Sequence, residues 1–231
     1  MTLAKICGLS EPEHASAAAT FGADFVGVVF APGRRRVTVG QAREIGSAIG
    51  RRGPPPGGRD MASILAALER RRPLLVGVFA DQDVETVNAV LDQCELDVVQ
   101  LSGSEPWRIC DQIDRPVFKC RKVHEGETAM EILSEVDQHA ILLLDPYVEG
   151  SYGGTGRSLD WTVAAEIAQR LPVVLAGGLT PDNVAEAVTI VRPWVADVSS
   201  GVETDGAKDP DKIRAFLRQV KEVEPTERRM E

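Results

Sequence analysis

The stretch Val173-Val174-Leu175-Ala176-Gly177-Gly178-Leu179-Thr180-Pro181 changes character twice, and its reading decides the fold. The β-branched apolar run predicts a strand buried on both faces, because a half-exposed strand would alternate with polar residues. Two glycines then turn the chain. Thr180 before Pro181 is a plausible helix N-cap with proline at the first helical position, where its missing N–H is no loss. Strand, turn and helix thus follow in the order that one unit of a parallel α/β fold demands.

The same signals recur on either side. Apolar runs at Leu3–Cys7, Phe25–Phe30, Leu74–Phe79, Asp97–Leu101, Val117–Arg121, Ile141–Asp145 and Val195–Ser199 read as further buried strands. Helix signals lie between them at Glu11–Phe21, Val84–Leu91, Glu105–Ile113, Leu159–Arg170, Pro181–Val191 and Pro210–Val220, with Asp209-Pro210 repeating the Thr-Pro arrangement. About eight strand-then-helix units fit the 231 residues, and closing them into a (β/α)8 TIM barrel leaves no exposed sheet edge. Residues 1–223 are expected to form this one α/β domain. Arg51–Asp60, rich in proline and glycine, reads as an exposed loop inserted before a helical Met61–Arg72. The charged tail 224–231 is expected to fray.

Composition narrows the function. Apolar residues at 43% supply a sizeable core, and the net charge of −9 repels polyanions, so no nucleic-acid partner is expected; Arg34-Arg35-Arg36 is too short a basic run to reverse that. A small anion remains compatible, since one or two arginines and backbone N–H groups suffice to hold it. No apolar run approaches the roughly 20 residues of a membrane span, and Met1–Leu9 lacks the pattern of a signal peptide. A cytoplasmic location is expected, as monomer or homodimer. Cys7, Cys94, Cys110 and Cys120 show no metal-ligand spacing, and only His14, His124 and His139 could join them, so no metal is expected. Cys94, Cys110 and Cys120 read as small core residues.

In such barrels the active site is built at the C-terminal ends of the strands. Gly177 and Gly178 after the seventh strand, with Ser200 and Gly201 after the eighth, suit a phosphate site of backbone N–H groups, although single glycines of this kind more often only shape turns. Asp145 ends an apolar run, so its carboxyl is expected to be partly desolvated and easier to protonate; a helix cap or an ion pair is the competing reading. Cys7 can serve as a base only if a cation lowers its thiol pKa, and Lys5, two residues away on the same side of the strand, is a candidate. A buried, inert cysteine is the alternative.

Lys5-Ile6-Cys7-Gly8-Leu9, Val76-Gly77-Val78-Phe79, Gln100-Leu101, Leu142-Leu143-Leu144-Asp145, Gly153-Gly154-Thr155-Gly156 with Asp160-Trp161, Ala176-Gly177-Gly178-Leu179 with Asn183-Val184, and Asp197-Val198-Ser199-Ser200-Gly201-Val202-Glu203 follow one another in order over nearly the whole chain. Together they resemble phosphoribosylanthranilate isomerase of tryptophan biosynthesis. The resemblance implies a barrel of the ribulose-phosphate-binding type and a cofactor-free Amadori rearrangement of a small phosphosugar. It further implies Asp145 as general acid, Cys7 as general base, and Arg35 as the contact to the anthranilate carboxylate, with Arg34 or Arg36 possible after a one-residue slip. Gly154, Thr155 and Gly156 would belong to a mobile loop over the substrate. Ser102 stands where the family usually has histidine, which puts any role of that imidazole in doubt. The histidine-pathway aminoaldose isomerase is disfavoured, because it is expected to carry aspartates at strands 1 and 5. A non-catalytic phosphosugar-binding barrel would have no need of both Cys7 and Asp145.

Overall fold

Eight parallel strands pair in chain order and close on themselves. They are β1 (Leu3–Ile6), β2 (Phe25–Val29), β3 (Leu74–Phe79), β4 (Val98–Leu101), β5 (Val117–Val123), β6 (Ile141–Pro146), β7 (Val173–Leu175) and β8 (Val195–Val198). The seam is β1 against β8, with Lys5 opposite Asp197 and Ile6 opposite Val198. The computed structural model describes residues 1–50, 53–137, 140–147 and 159–223 of the chain. Of the expectations above, those for Gly154, Thr155, Gly156 and the tail 224–231 lie outside the described residues. The barrel and every expected strand are present; β5 and β6 run past their expected ends to Val123 and Pro146, β1, β2, β7 and β8 each stop one residue short, and β4 starts one residue later.

The helices are α1 (Pro12–Thr20), α2 (Val39–Ala48), α3 (Met61–Arg70), α4 (Val84–Gln93), α5 (Ala129–Glu135), α6 (Trp161–Ala168), α7 (Val184–Val191) and α8 (Pro210–Glu222). Helices α2 and α5 were not anticipated, yet each opens with a reciprocal capping box, Thr38 with Gln41 and Thr128 with Glu131. That spacing satisfies backbone N–H groups that the first turn leaves without helical partners. Glu105–Ile113 does not form an α-helix; a short 3₁₀ segment, Trp107–Gln112, takes its place after Pro106. Helix α7 starts at Val184 rather than Pro181. Asn183 supplies the reason: its side chain accepts from the Thr180 N–H at 2.8 Å and donates to the Gly178 carbonyl at 2.9 Å, which ties Thr180–Asn183 into a turn. At α8 the expected cap is present, Asp209 accepting from the N–H groups of Asp211 and Lys212.

One hydrophobic layer joins the barrel wall to the helices, and a second fills the barrel interior with Phe25, Val76, Phe118, Leu143 and Val174. Phe25, Phe118 and Trp194 meet edge to face, with ring centroids 5.6–6.2 Å apart. They lie at or near the N-terminal ends of β2, β5 and β8. Side chains of α3, including Ile64 and Leu68, join the same cluster. Each fully buried ring or leucine contributes about 1.5–3 kcal/mol, so one end of the barrel is packed and floored. Among the described residues no helix is long and apolar enough to cross a membrane.

Candidate active site

At the opposite end a cavity of about 310 Å³ opens among the residues that follow the strands. Cys7 after β1, Asp145 within β6, Arg35 from the β2 loop, Gly177 and Gly178 after β7, and Ser200 and Gly201 after β8 all line it. Every sequence-predicted site residue among those described therefore comes to one place. Its members lie as far apart in the chain as Cys7 and Gly201, and parallel closure brings them together because each stands at the same end of its own strand.

The loops after β7 and β8 touch backbone to backbone. A Cβ on Gly201 would lie 1.9 Å from the Leu179 carbonyl oxygen, and one on Gly177 would lie 2.0 Å from Pro146 Cδ and 3.1 Å from Asp145 Oδ1. Gly177 and Gly178 also hold φ of +86° and +64°, a region that disfavours side chains. Glycine is thus required here both by contact and, at the first pair, by backbone conformation. Ser200 opens a short 3₁₀ turn, Ser200–Val202, directly beside these glycines.

Burial pushes the Asp145 carboxyl above the usual carboxylate range; the Lys122 ammonium opposes this without cancelling it. Lys122 Nζ donates to Asp145 Oδ2 at 2.5 Å, from the neighbouring strand, where the two residues are paired in register. The ion pair that competes as an explanation for Asp145 is therefore present, and its Asp145 member lines the cavity.

Cys7 departs from expectation. Lys5 does act to lower the thiol pKa, but burial outweighs it and the net direction is upward. Part of the reason is Asp197, which receives both of its contacts from Lys5 Nζ at 2.9 and 3.0 Å and offsets the ammonium charge. Burial also opposes the charge on Lys5, yet Asp197 and Cys7 more than compensate and its pKa is raised. Gly27 makes the room: a Cβ there would come within 2.9 Å of Cys7 Sγ and 3.3 Å of Lys5 Nζ. Cys94, Cys110 and Cys120 are buried, as expected of core cysteines.

Arg35 crosses Gly8, where a Cβ would meet Arg35 Cδ at 2.6 Å, and its guanidinium is engaged by Glu203. Arg34, the slipped alternative, also reaches Glu203 and is more exposed than Arg35. Ser102, at the family's histidine position, lines the cavity and accepts from Gln100 Nε2 at 3.0 Å. Among the described residues no group of three His, Cys, Asp or Glu could hold a metal ion.

Sequence reading overlooked Lys122, Asp197, Glu203 and Lys208 as parts of the site. The apolar run that predicts the fifth strand ends at Arg121 and leaves Lys122 outside it. Strand β5 continues through Lys122, and only its register with β6 sets Lys122 beside Asp145. Nothing local marks Glu203 or Asp197 as partners of residues near the N-terminus.

A closed parallel barrel with a glycine-lined cavity beyond β7 and β8, and a carboxyl and a thiol at its mouth, has the layout of a (β/α)8-barrel enzyme whose site lies at the C-terminal ends of the strands. The sequence profile of the family described as N-(5′-phosphoribosyl)anthranilate (PRA) isomerase matches residues 60–219. The N-(5′-phosphoribosyl)anthranilate isomerase of Dehalococcoides mccartyi is 42% identical, over 97% of this chain and 98% of its own. The crystal structure of phosphoribosyl anthranilate isomerase from Thermotoga maritima superposes with a TM-score of 0.77 at 31% identity, covering 96% of this chain and 99% of that one. A phosphoribosyl anthranilate isomerase in complex with reduced 1-(o-carboxyphenylamino)-1-deoxyribulose 5-phosphate gives 0.74 at 31% identity, covering 96% and 99%. The chain belongs to the N-(5′-phosphoribosyl)anthranilate isomerase family.

Proposed function

We propose that this chain converts N-(5′-phosphoribosyl)anthranilate to 1-(2-carboxyphenylamino)-1-deoxyribulose 5-phosphate in tryptophan biosynthesis, with Asp145 as general acid and Cys7 as general base. The observation that carries the assignment is the convergence of Asp145, Cys7, Arg35 and the Gly177 and Gly201 loops on one cavity.

Protonated Asp145 donates to the furanose ring oxygen as the C1′–O bond breaks, and the nitrogen lone pair forms the C1′=N iminium. Its raised pKa keeps a larger fraction of the acid in the form that can donate. The iminium is an electron sink that acidifies the neighbouring C–H, and Cys7 Sγ removes the C2′ proton to leave an enolamine. Return of a proton from the Cys7 thiol to C1′, with loss of the C2′ hydroxyl proton to the Asp145 carboxylate, completes the ketone, so no atom is gained or lost. Burial favours the protonated thiol, and the positive charge of the iminium, added to that of Lys5, favours the thiolate, the thiol proton passing to solvent before Cys7 takes that of C2′. Ser200, Gly177, Gly178 and Gly201 would hold the phosphate, and Arg35 the ring carboxylate. We read residues 1–223 as one domain and the enzyme as cytoplasmic, in keeping with a small, soluble phosphosugar substrate.

The test is the decay of phosphoribosylanthranilate fluorescence. Cys7→Ala and Asp145→Asn should each lose about 10²–10⁴-fold in kcat, the usual worth of a positioned acid or base, while still binding product. An inactive wild type would favour the non-catalytic phosphosugar-binding reading, and full activity in either variant would remove that residue's role.

A further inference from the structure

Arg35 ends a long side chain that would sample many rotamers at a cavity mouth unless something fixed it. Glu203 does so. It opens a small hairpin after β8, formed by Glu203–Thr204 and Ala207–Lys208, and it is not among the residues that line the cavity. Its Oε1 accepts from Arg35 Nε at 2.7 Å and its Oε2 from Arg35 Nη2 at 3.1 Å, a two-point contact along one edge of the guanidinium. Among the described residues the Nη1 side of Arg35 takes no protein partner. Gly8 restrains the stem from below, as the 2.6 Å approach of its would-be Cβ to Arg35 Cδ shows.

Glu203 is itself held. Lys208 Nζ donates to Glu203 Oε1 at 2.9 Å and to the Ser199 carbonyl at 2.7 Å, while Arg34 Nη2 donates to Glu203 Oε2 at 2.7 Å. Burial works against the charge on Glu203, but the hydrogen bonds from Arg35, Lys208 and Arg34 outweigh it and bring its carboxyl down to about 2. Three cations thus share a single carboxylate, so the cluster keeps a positive surplus that a substrate anion can answer. A carboxylate present only to neutralise Arg35 would not need two further cations.

We propose that Glu203 is a positioning residue for the reaction, holding the Arg35 guanidinium across Gly8 so that its Nη1 side meets the ring carboxylate of the substrate. This rests on the assignment of Arg35 to that carboxylate. The purely architectural alternative is that Glu203 only ties the hairpin to the β2 loop.

Two probes separate these readings: the reduced product, 1-(o-carboxyphenylamino)-1-deoxyribulitol 5-phosphate, and its counterpart lacking the ring carboxylate, with Kd measured by calorimetry. The wild type should prefer the carboxylated probe by about tenfold or more. Arg35→Ala should abolish that preference. Glu203→Gln should lose most of it while binding the decarboxy probe within about threefold of wild type, and adding Glu203→Gln to Arg35→Ala should cost nothing further. Glu203→Asp, which keeps the charge, should retain more of the preference than Glu203→Gln, and it serves if the glutamine variant folds poorly. An unchanged preference in Glu203→Gln, with Arg35→Ala still abolishing it, overturns the role of Glu203 and leaves that of Arg35 standing. Equal weakening of both probes by Glu203→Gln overturns it in favour of the architectural role. An intact preference in Arg35→Ala overturns the Arg35 assignment, and the proposal falls with it.

Discussion

Gly201→Ala tests the phosphate cradle directly. The added Cβ would lie 1.9 Å from the Leu179 carbonyl oxygen, 2.9 Å from its carbonyl carbon and 3.2 Å from Thr180 Cα. Cβ contacts under 3.0 Å essentially never occur, so the two loops must part by at least 1.1 Å, the difference between 3.0 and 1.9 Å. All three obstacles are backbone atoms, and no side-chain rotation relieves them. Overpacking of this kind costs about 1–3 kcal/mol, which for a chain of this size lowers Tm by about 2–12 °C. Function should suffer more, because a displacement of ~1 Å in a positioning site costs on the order of 10²-fold. The assay is a thermal melt with and without inorganic phosphate, paired with steady-state kinetics. Phosphate should raise the Tm of the wild type by mass action and that of Gly201→Ala far less. Gly57→Ala is the control, since its Cβ enters open space and should change stability by no more than about 0.5 kcal/mol. A Gly201→Ala protein with wild-type Tm, KM and phosphate response would refute the placement of the phosphate between these loops.

Other consequences follow from the charged groups. Asp145 acts in its protonated form and the Lys122 ammonium favours the ionised one, so Lys122→Met should raise the Asp145 pKa further and move the alkaline limb of kcat/KM to higher pH; a limb that stays or moves down would count against Asp145 as the acid. The Glu203 carboxyl titrates at about 2 in the fold and near ~4.3 in the unfolded chain. Its ion pairs therefore stabilise the protein fully above the unfolded value, and that contribution is lost as pH falls toward 2. Urea midpoints between pH 5 and pH 3 should accordingly fall less steeply in Glu203→Gln than in the wild type; parallel declines would deny the group that share of acid stability.

The strands and their order were legible in the sequence, since a buried parallel strand announces itself by an unbroken apolar run bounded by turn residues. Cys7 and Asp145 were legible for the same reason, as polar atoms standing where such runs end. Helices α2 and α5 carry a local signal too, in the capping pairs Thr38 with Gln41 and Thr128 with Glu131, although neither is among the expected helices. Each of these signals lies within a few residues of the element it describes.

What only the tertiary structure decided is who faces whom across the closed barrel. Lys5 and Asp197 are 192 residues apart, and Arg35 and Glu203 are 168 apart; no local pattern couples them, because their contact depends on β1 closing against β8 in one register. The direction of the Cys7 pKa shift was decided there as well. Lys5 two residues away argued for a lowered value, but desolvation depends on everything packed around the sulfur, and in the folded barrel burial outweighs the neighbouring ammonium.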